Sequence, residues 1–279
     1  MTYGLLSIKE IKGLFKKYRL WPSKRLGQNF LVNQGVLKRI IEESKILPKD
    51  IILEIGPGVG TLTQELAKRA KEVIAVEKDP KMAEILKETT KNFKNVKIIQ
   101  ADILKLNPIP YARKPCKIIA NLPYYIASPL IRRFLEAKNQ PKEMVLMVQK
   151  EVAQRICSKP PDMTLLAVSV QFYAYPKILF YVKKGSFWPK PKVDGAVIKI
   201  VSRKFRVRVS RRFSEQFFRI VRAGFSQPRK QILNNLSKNL KIDREKVKEW
   251  LKKNKINPTQ RAETLNLEDW NSLTKSFYS

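Results

Sequence analysis

Apolar residues recur at two spacings along the first two thirds of the chain. Short apolar runs at Ile51–Ile55, Val73–Val76, Val96–Ile99, Lys117–Ala120 and Met144–Val148 have the length of buried strands. Between them the spacing stretches to that of helices. Thr61–Ala70 sets Leu62 and Leu66 inward, Pro80 opens a helix at its first turn, and Pro129 lies in the first turn of a helix that Ser128 is placed to cap. Strand and helix in alternation predict a parallel sheet with helices on both faces. Further runs at Ala167–Phe172, Ile178–Val182 and Ala196–Val201 predict strands that complete it. The first 20 residues oppose Leu5, Ile8, Ile11 and Phe15 to Lys9, Lys12 and Lys16, which predicts a basic surface helix.

The pattern changes near residue 203. Ten lysines and arginines fall between Arg203 and Lys230 against one acid, Glu215, with phenylalanines interleaved. Helical periodicity follows over roughly 213–224, 228–239, 243–254 and 267–277. The expected organisation is a larger α/β domain over 1–205, whose residues 1–30 form a basic N-terminal segment, and a small all-helical domain over 206–279.

Charge narrows the partners. The chain carries 57 Lys+Arg against 24 Asp+Glu, a net charge of +33. Such a field favours a polyanion, nucleic acid first and an anionic membrane surface second. No histidine is present, which removes His-based triads, His metal sites and histidine pH switching. Cys116 and Cys157 lie far apart without Cys-x-x-Cys spacing, so they read as small buried hydrophobes in a reducing compartment, with no metal site. No apolar run approaches the roughly 20 residues of a membrane span, and the N-terminus has no h-region. A soluble cytoplasmic protein is expected.

Three strand ends in succession carry candidate chemistry. Gly56-Pro57-Gly58-Val59-Gly60 closes the first strand and opens a helix, where glycines let a ligand approach the backbone. Glu77 ends the second strand, where a carboxylate can accept both hydroxyls of a ribose, and Asp102 follows the third, where it can accept the exocyclic amine of adenine. The loop taken alone also suits a nicotinamide dinucleotide, and each acid taken alone reads as a solvated strand end. A loop, an acid and an acid in that order fit S-adenosylmethionine better than a dinucleotide. The absence of lysine from the loop excludes a Walker-type phosphate site. After the fourth strand comes Asn121-Leu122-Pro123-Tyr124-Tyr125. This stretch reads either as an ordinary strand-to-helix loop or as a turn that presents an amide to the edge of a nucleobase and a ring to its face.

These segments together resemble the rRNA adenine N6,N6-dimethyltransferases of the bacterial small-subunit type, the kasugamycin-sensitivity methyltransferase family. The resemblance runs from about residue 24 to 265. It rests on Gly27-Gln28-Asn29-Phe30-Leu31, Glu54–Gly60, Val76-Glu77, Ala101-Asp102, Asn121–Tyr124, Gln149-Lys150-Glu151-Val152, Pro189–Asp194 and Arg229–Leu236. It implies a Rossmann-like S-adenosylmethionine-dependent methyltransferase fold with a small C-terminal helical domain. Cofactor contacts are implied at Asn29, Leu31, Gly56, Gly58, Glu77, Asp102 and Asn121, and a catalytic pocket at Asn121, Leu122, Pro123 and Tyr124. The implied reaction dimethylates two adjacent adenosines near the 3′ end of small-subunit rRNA during ribosome biogenesis. The expected partner is that rRNA or the immature small subunit, which a monomer is expected to meet through Lys24, Arg25, Arg222, Arg229 and Lys230. Two departures stand out: Met163-Thr164 replaces a Tyr-Gly pair, and Pro228 replaces the first of three basic residues before Arg229-Lys230. The alternatives are a large-subunit methyltransferase of the macrolide-resistance type and a non-enzymatic ribosome-assembly factor. Leu122 and the Pro189–Asp194 motif favour the small-subunit type over the first, and intact Glu77, Asp102 and Asn121 oppose the second.

Overall fold

The computed structural model describes residues 7–23, 26–106, 116–137, 139–203 and 210–277. The described residues form two compact units, one from those within 7–153 and 177–202 and the other from those within 154–176 and 203–277.

The first unit is built on a seven-stranded sheet. Helix α1 (Ile8–Lys17), strand β1 (Phe30–Leu31) and helix α2 (Gln34–Ser44) precede the alternating region. That region runs β2 (Ile51–Ile55), α3 (Thr61–Ala67), β3 (Glu72–Glu77), α4 (Pro80–Thr89), β4 (Val96–Gln100), β5 (Lys117–Asn121), α5 (Ala127–Glu136), β6 (Glu143–Gln149) and α6 (Lys150–Ile156). Helix α7 (Leu165–Tyr173), β7 (Ala174–Val182), β8 (Phe187–Trp188) and β9 (Gly195–Ser202) follow. The sheet order is β4-β3-β2-β5-β6-β9-β7, and β1 pairs separately with β8. Strands β4, β3, β2, β5 and β6 are parallel, so the ends of β4, β3, β2 and β5 that carry Asp102, Glu77, the glycine loop and Asn121 point the same way. Residues of both parities are buried in the central strands, Ile118 with Ile119 and Met144 with Val145, so both faces are covered.

Three sequence expectations are corrected. The sheet is mixed and not wholly parallel, because β9 runs antiparallel to β6. The apolar run 196–201 reports burial on both faces and says nothing of direction. Direction depends on the connection, and residues 183–194 before β9 supply no crossover helix. The run Ala167–Phe172 is helix α7 and not a strand, started by Thr164, whose Oγ1 accepts from the Ala167 N–H at 3.0 Å. Ser128 does not cap α5. A 3-10 turn over Tyr124–Ile126 runs straight into the helix, so Ile126 takes the cap position and Ser128 falls inside the first turn.

Helix α1 starts with a reciprocal cap between Ser7 and Glu10 and buries Ile11 and Phe15. Phe15 meets Phe30 edge-on with ring centroids 5.4 Å apart, and Phe30 in turn packs under the glycine loop. Leu5 lies outside the described residues. At the opposite end of the sheet from the loop, the buried Lys117 ammonium sits 2.9 Å from Asp50 and 3.1 Å from Glu143 and donates to the Lys45 carbonyl. This arrangement ties β2, β5, β6 and the end of α2 together with the charge compensated.

The second unit is helical. Helices α8 (Arg211–Gly224), α9 (Ile232–Leu240), α10 (Arg244–Lys253) and α11 (Leu267–Ser276) match the expected segments, and the unit also takes up α7. Its core gathers Phe172, Phe217, Val221, Leu236, Leu251 and Trp270. The buried Asn235 amide donates to the Gly224 carbonyl at 2.7 Å and the Gln227 carbonyl at 3.0 Å, closing the end of α8. Among the described residues no helix is long and apolar enough to cross a membrane.

Candidate active site

One cavity of the first unit is lined by Asn29, Leu31, Gly56, Gly58, Glu77, Asp102, Asn121, Leu122, Pro123 and Tyr124. The parallel strands bring Gly56, Gly58, Glu77, Asp102 and Asn121 together at ends that share an edge, and the segment around β1, outside that sheet, adds Leu31 and Asn29, the latter 92 positions from Asn121.

The loop after β2 turns only because of its glycines. Gly56 and Gly58 have φ of +65° and +57°, and a Cβ on Gly58 would lie 2.9 Å from the Phe30 ring. The Gly58 N–H then donates to Glu77 Oε2 at 3.2 Å, and the Asp79 N–H to Glu77 Oε1 at 2.9 Å. These bonds fix the orientation of the carboxylate at the cavity wall. Burial pushes the Glu77 carboxyl up from its ordinary value, against the pull of these backbone N–H groups. Asp102 differs. It accepts from Leu104 N–H at 3.0 Å and pairs with the Lys78 ammonium at 2.9 Å, which holds its carboxyl below the usual range.

The segment before β1 forms the rim. Gln28 accepts from Ser23 N–H at 2.8 Å and donates to Asp79 at 3.2 Å, tying the rim to the residue that steadies Glu77. The Asn121 Nδ2 donates to the Asn29 carbonyl at 3.1 Å. With the nitrogen held by a carbonyl, the Asn121 Oδ1 is the end left to accept. The Leu122 N–H is used by the Met147 carbonyl at 3.1 Å, and the Pro123 carbonyl receives Ile126 N–H at 3.1 Å to close the 3-10 turn. Tyr124 thus stands at the cavity wall. Its hydroxyl is buried without a hydrogen-bond partner among the described residues, and burial together with the Asp194 carboxylate pushes it up to about 12. Tyr125 is exposed on the rim.

Sequence reasoning did not foresee the part of Lys78, of Phe187 or of Glu54 in this wall. Lys78 directly follows Glu77, and an acid inside the apolar strand Ile51–Ile55 was the available signal for Glu54. In the second unit Arg222, Arg229 and Lys230 are all exposed, as is Arg219 one helical turn before Arg222. Lys24 and Arg25 lie outside the described residues.

Two strand-end carboxylates, a glycine turn, an amide and an aromatic ring line one cavity, a set compatible with a nucleoside cofactor beside a planar base. The comparisons with known proteins agree in kind. The family model described as ribosomal RNA adenine dimethylase matches residues 22–278. A ribosomal RNA small subunit methyltransferase A from Dehalococcoides mccartyi is 45% identical over 267 residues, covering 95% of this chain and 91% of its own. One of the same name from Alkaliphilus metalliredigens is 40% identical, with 97% of each chain covered. Among solved structures, a dimethyladenosine transferase from Plasmodium falciparum aligns with a TM-score of 0.75 at 27% identity, covering 89% of this chain and 97% of that one. The 23S rRNA methyltransferase ErmE also aligns at 0.75, with 26% identity and coverage of 90% and 100%. The chain belongs to the ribosomal RNA adenine dimethylase family.

Proposed function

We propose that the chain dimethylates the N6 amines of two adjacent adenosines in a loop near the 3′ end of small-subunit rRNA, acting as a monomer on the immature small subunit in the cytoplasm. The coarser activity follows from the family: the chain is an S-adenosylmethionine-dependent rRNA methyltransferase. The observation that carries the finer reading is the order of strand ends around one cavity, Asp102, Glu77, the glycine loop and then Asn121. That order matches adenine, ribose, amino-acid tail and the position of the accepting base.

The residues present fit such a donor. The glycine turn leaves no side chain in the way, and Glu77 lines the cavity at 7% exposure. Asp102 retains acceptor capacity beside Lys78. Asn29 and Leu31 line the rim where the donor would seat. S-adenosylmethionine supplies a sulfonium-activated methyl group when bound, so the chain's own residues chiefly have to position the acceptor. Asn121 Oδ1 and the Leu122 carbonyl accept the two hydrogens of the adenine amine, which favours a pyramidal nitrogen with its lone pair free. Tyr124 stacks on the extruded base, worth about 1–3 kcal/mol, comparable to the few kcal/mol of unstacking it. Pro123 fixes the turn that spaces these groups. The proton released from nitrogen passes to water, and no histidine is required. Arg222, Arg229 and Lys230, together with Lys24 and Arg25, meet RNA phosphates.

The second reading, methylation of large-subunit rRNA, is favoured by the alignment with ErmE. The higher identity to small-subunit enzymes, 45% against 26%, supports the first. Asn121→Ala tests the pocket. Methyl transfer should fall by several orders of magnitude while the melting temperature changes little. Turnover near that of the unmodified protein would overturn the assignment.

A further inference from the structure

The row of strand ends continues past the Asn121–Tyr124 turn. Beyond β5 the sheet runs β6, β9 and β7. Lys150 follows the last residue of β6, Asp194 precedes β9, and Tyr181 is the next-to-last residue of β7. These ends meet. The Lys150 N–H donates to the Asp194 carbonyl at 3.0 Å, and the Lys184 N–H donates to the Asp194 carboxylate at 2.9 Å. A Cβ on Gly195 would lie 3.7 Å from both the Val182 Cβ and the Tyr124 hydroxyl. The cluster therefore borders Tyr124 on the side of β5 opposite to Glu77 and Asp102.

Two properties of this cluster go beyond what the fold needs. Phe180 and Val182 are buried, yet Tyr181 between them is 52% exposed, with its ring on the other face of the strand. The Lys150 ammonium stands 5.4 Å from the centre of that ring, and Val193 is 44% exposed next to Asp194. The second property is charge. The Lys184 N–H, and behind it the charges of Lys183, Lys150 and Lys184, hold the Asp194 carboxyl below its usual range. Three ammonium groups thus act on one carboxylate that a backbone bond already engages, and even counting Glu151 the patch stays positive. An exposed ring among ammonium groups offers a face for a base and charge for its phosphate.

The proposed substrate is a pair of adjacent adenosines, and this sets what arrives here. Drawing one base into the Asn121–Tyr124 turn breaks its stacking on the next, so the neighbour loses a stacking partner as the first is extruded. We propose that Tyr181 supplies the replacement: the neighbouring adenosine stacks on its ring, with the phosphate of that nucleotide against Lys150, while the first adenosine is methylated. The inference rests on the acceptor reading of the Asn121–Tyr124 turn. It gives the protein a second base subsite on β7, which holds the partner adenosine next in line.

The test is methylation of undermethylated small subunits by the full chain with labelled S-adenosylmethionine, with the label located by mass spectrometry. Tyr181→Ala should lower kcat/KM by about tenfold, the equivalent of one stacked base, and Tyr181→Phe should keep most of it. The control is a particle assembled from rRNA with an abasic nucleotide in place of the neighbouring adenosine. On that particle the unmodified protein and Tyr181→Ala should act on the remaining adenosine at equal rates, because no base is left to stack. Lys150→Gln should reduce the slope of log K against log salt by about one. Equal rates of the unmodified protein and Tyr181→Ala on the intact pair overturn the inference. So does a loss in Tyr181→Ala that is as large on the abasic particle, which makes the ring a structural support. An unchanged salt slope in Lys150→Gln overturns the phosphate contact. Full activity of Asn121→Ala overturns the acceptor reading itself, and this inference with it.

Discussion

Tyr124 brings to the cavity a hydroxyl that the fold does not engage. The group is buried and bonded to nothing among the described residues, so removing it strands no partner and relieves a desolvated oxygen. If the ring acts by stacking, Tyr124→Phe should keep most of the methyl-transfer rate. Tyr124→Ala should lower it by about one to two orders of magnitude, the equivalent of one stacked base. Steady-state assays on the two variants check this, and equal rates would argue against stacking. Residues such as Asn121, Glu77 and Asp102 were legible in the sequence because each follows a recognisable strand, and a parallel sheet necessarily gathers such ends. Lys78 and Glu54 were not. The Lys78 partner Asp102 is 24 residues away by number, and Glu54 looks in sequence like one polar position in an apolar strand. Only the structure shows that it lines the cavity.

At the scale of elements, packing overrules local preference where α8 ends. Gly224 is the last residue of that helix, and replacing glycine by alanine in a helix ordinarily stabilises it by about 1 kcal/mol. Here a Cβ would press on the fully buried Trp270 ring, with Cζ3 only 3.0 Å away. Overpacking against a side chain that cannot move costs about 1–3 kcal/mol, so the clash wins. Gly224→Ala should lower unfolding free energy by about 1–2 kcal/mol in chemical denaturation; a more stable variant would show that Trp270 yields. The same conflict between local and tertiary information explains the misread segment 167–172. Leu165-Leu166-Ala167-Val168-Ser169-Val170 has the β-branched richness of a strand, and its helical state depends on Thr164 and on burial of Phe172 against Phe217, whose ring centroids lie 4.2 Å apart. The direction of β9 was equally hidden, since apolar alternation carries no arrow.

Across the whole molecule the excess of 33 positive charges matters more than any single lysine. Exposed Arg219, Arg222, Arg229 and Lys230 offer phosphate contacts whose binding releases counterions. Affinity for small-subunit RNA should therefore fall steeply as salt rises, and Arg222→Ala or Arg229→Ala should reduce the slope of log K against log salt by about one each. Filter binding across a salt series checks both, and a flat response would remove phosphate contacts from the account. The central claim is more specific: the cavity between the glycine loop and Asn121–Tyr124 dimethylates adenosines of the small subunit. It is tested most directly by incubating undermethylated small subunits, and separately large-subunit RNA, with the protein and isotopically labelled S-adenosylmethionine, then identifying the nucleosides by mass spectrometry. The account predicts labelled N6,N6-dimethyladenosine at two adjacent positions of small-subunit RNA and none with Asn121→Ala. Label confined to large-subunit RNA, or no dimethyladenosine from a folded protein that binds the donor, would contradict it.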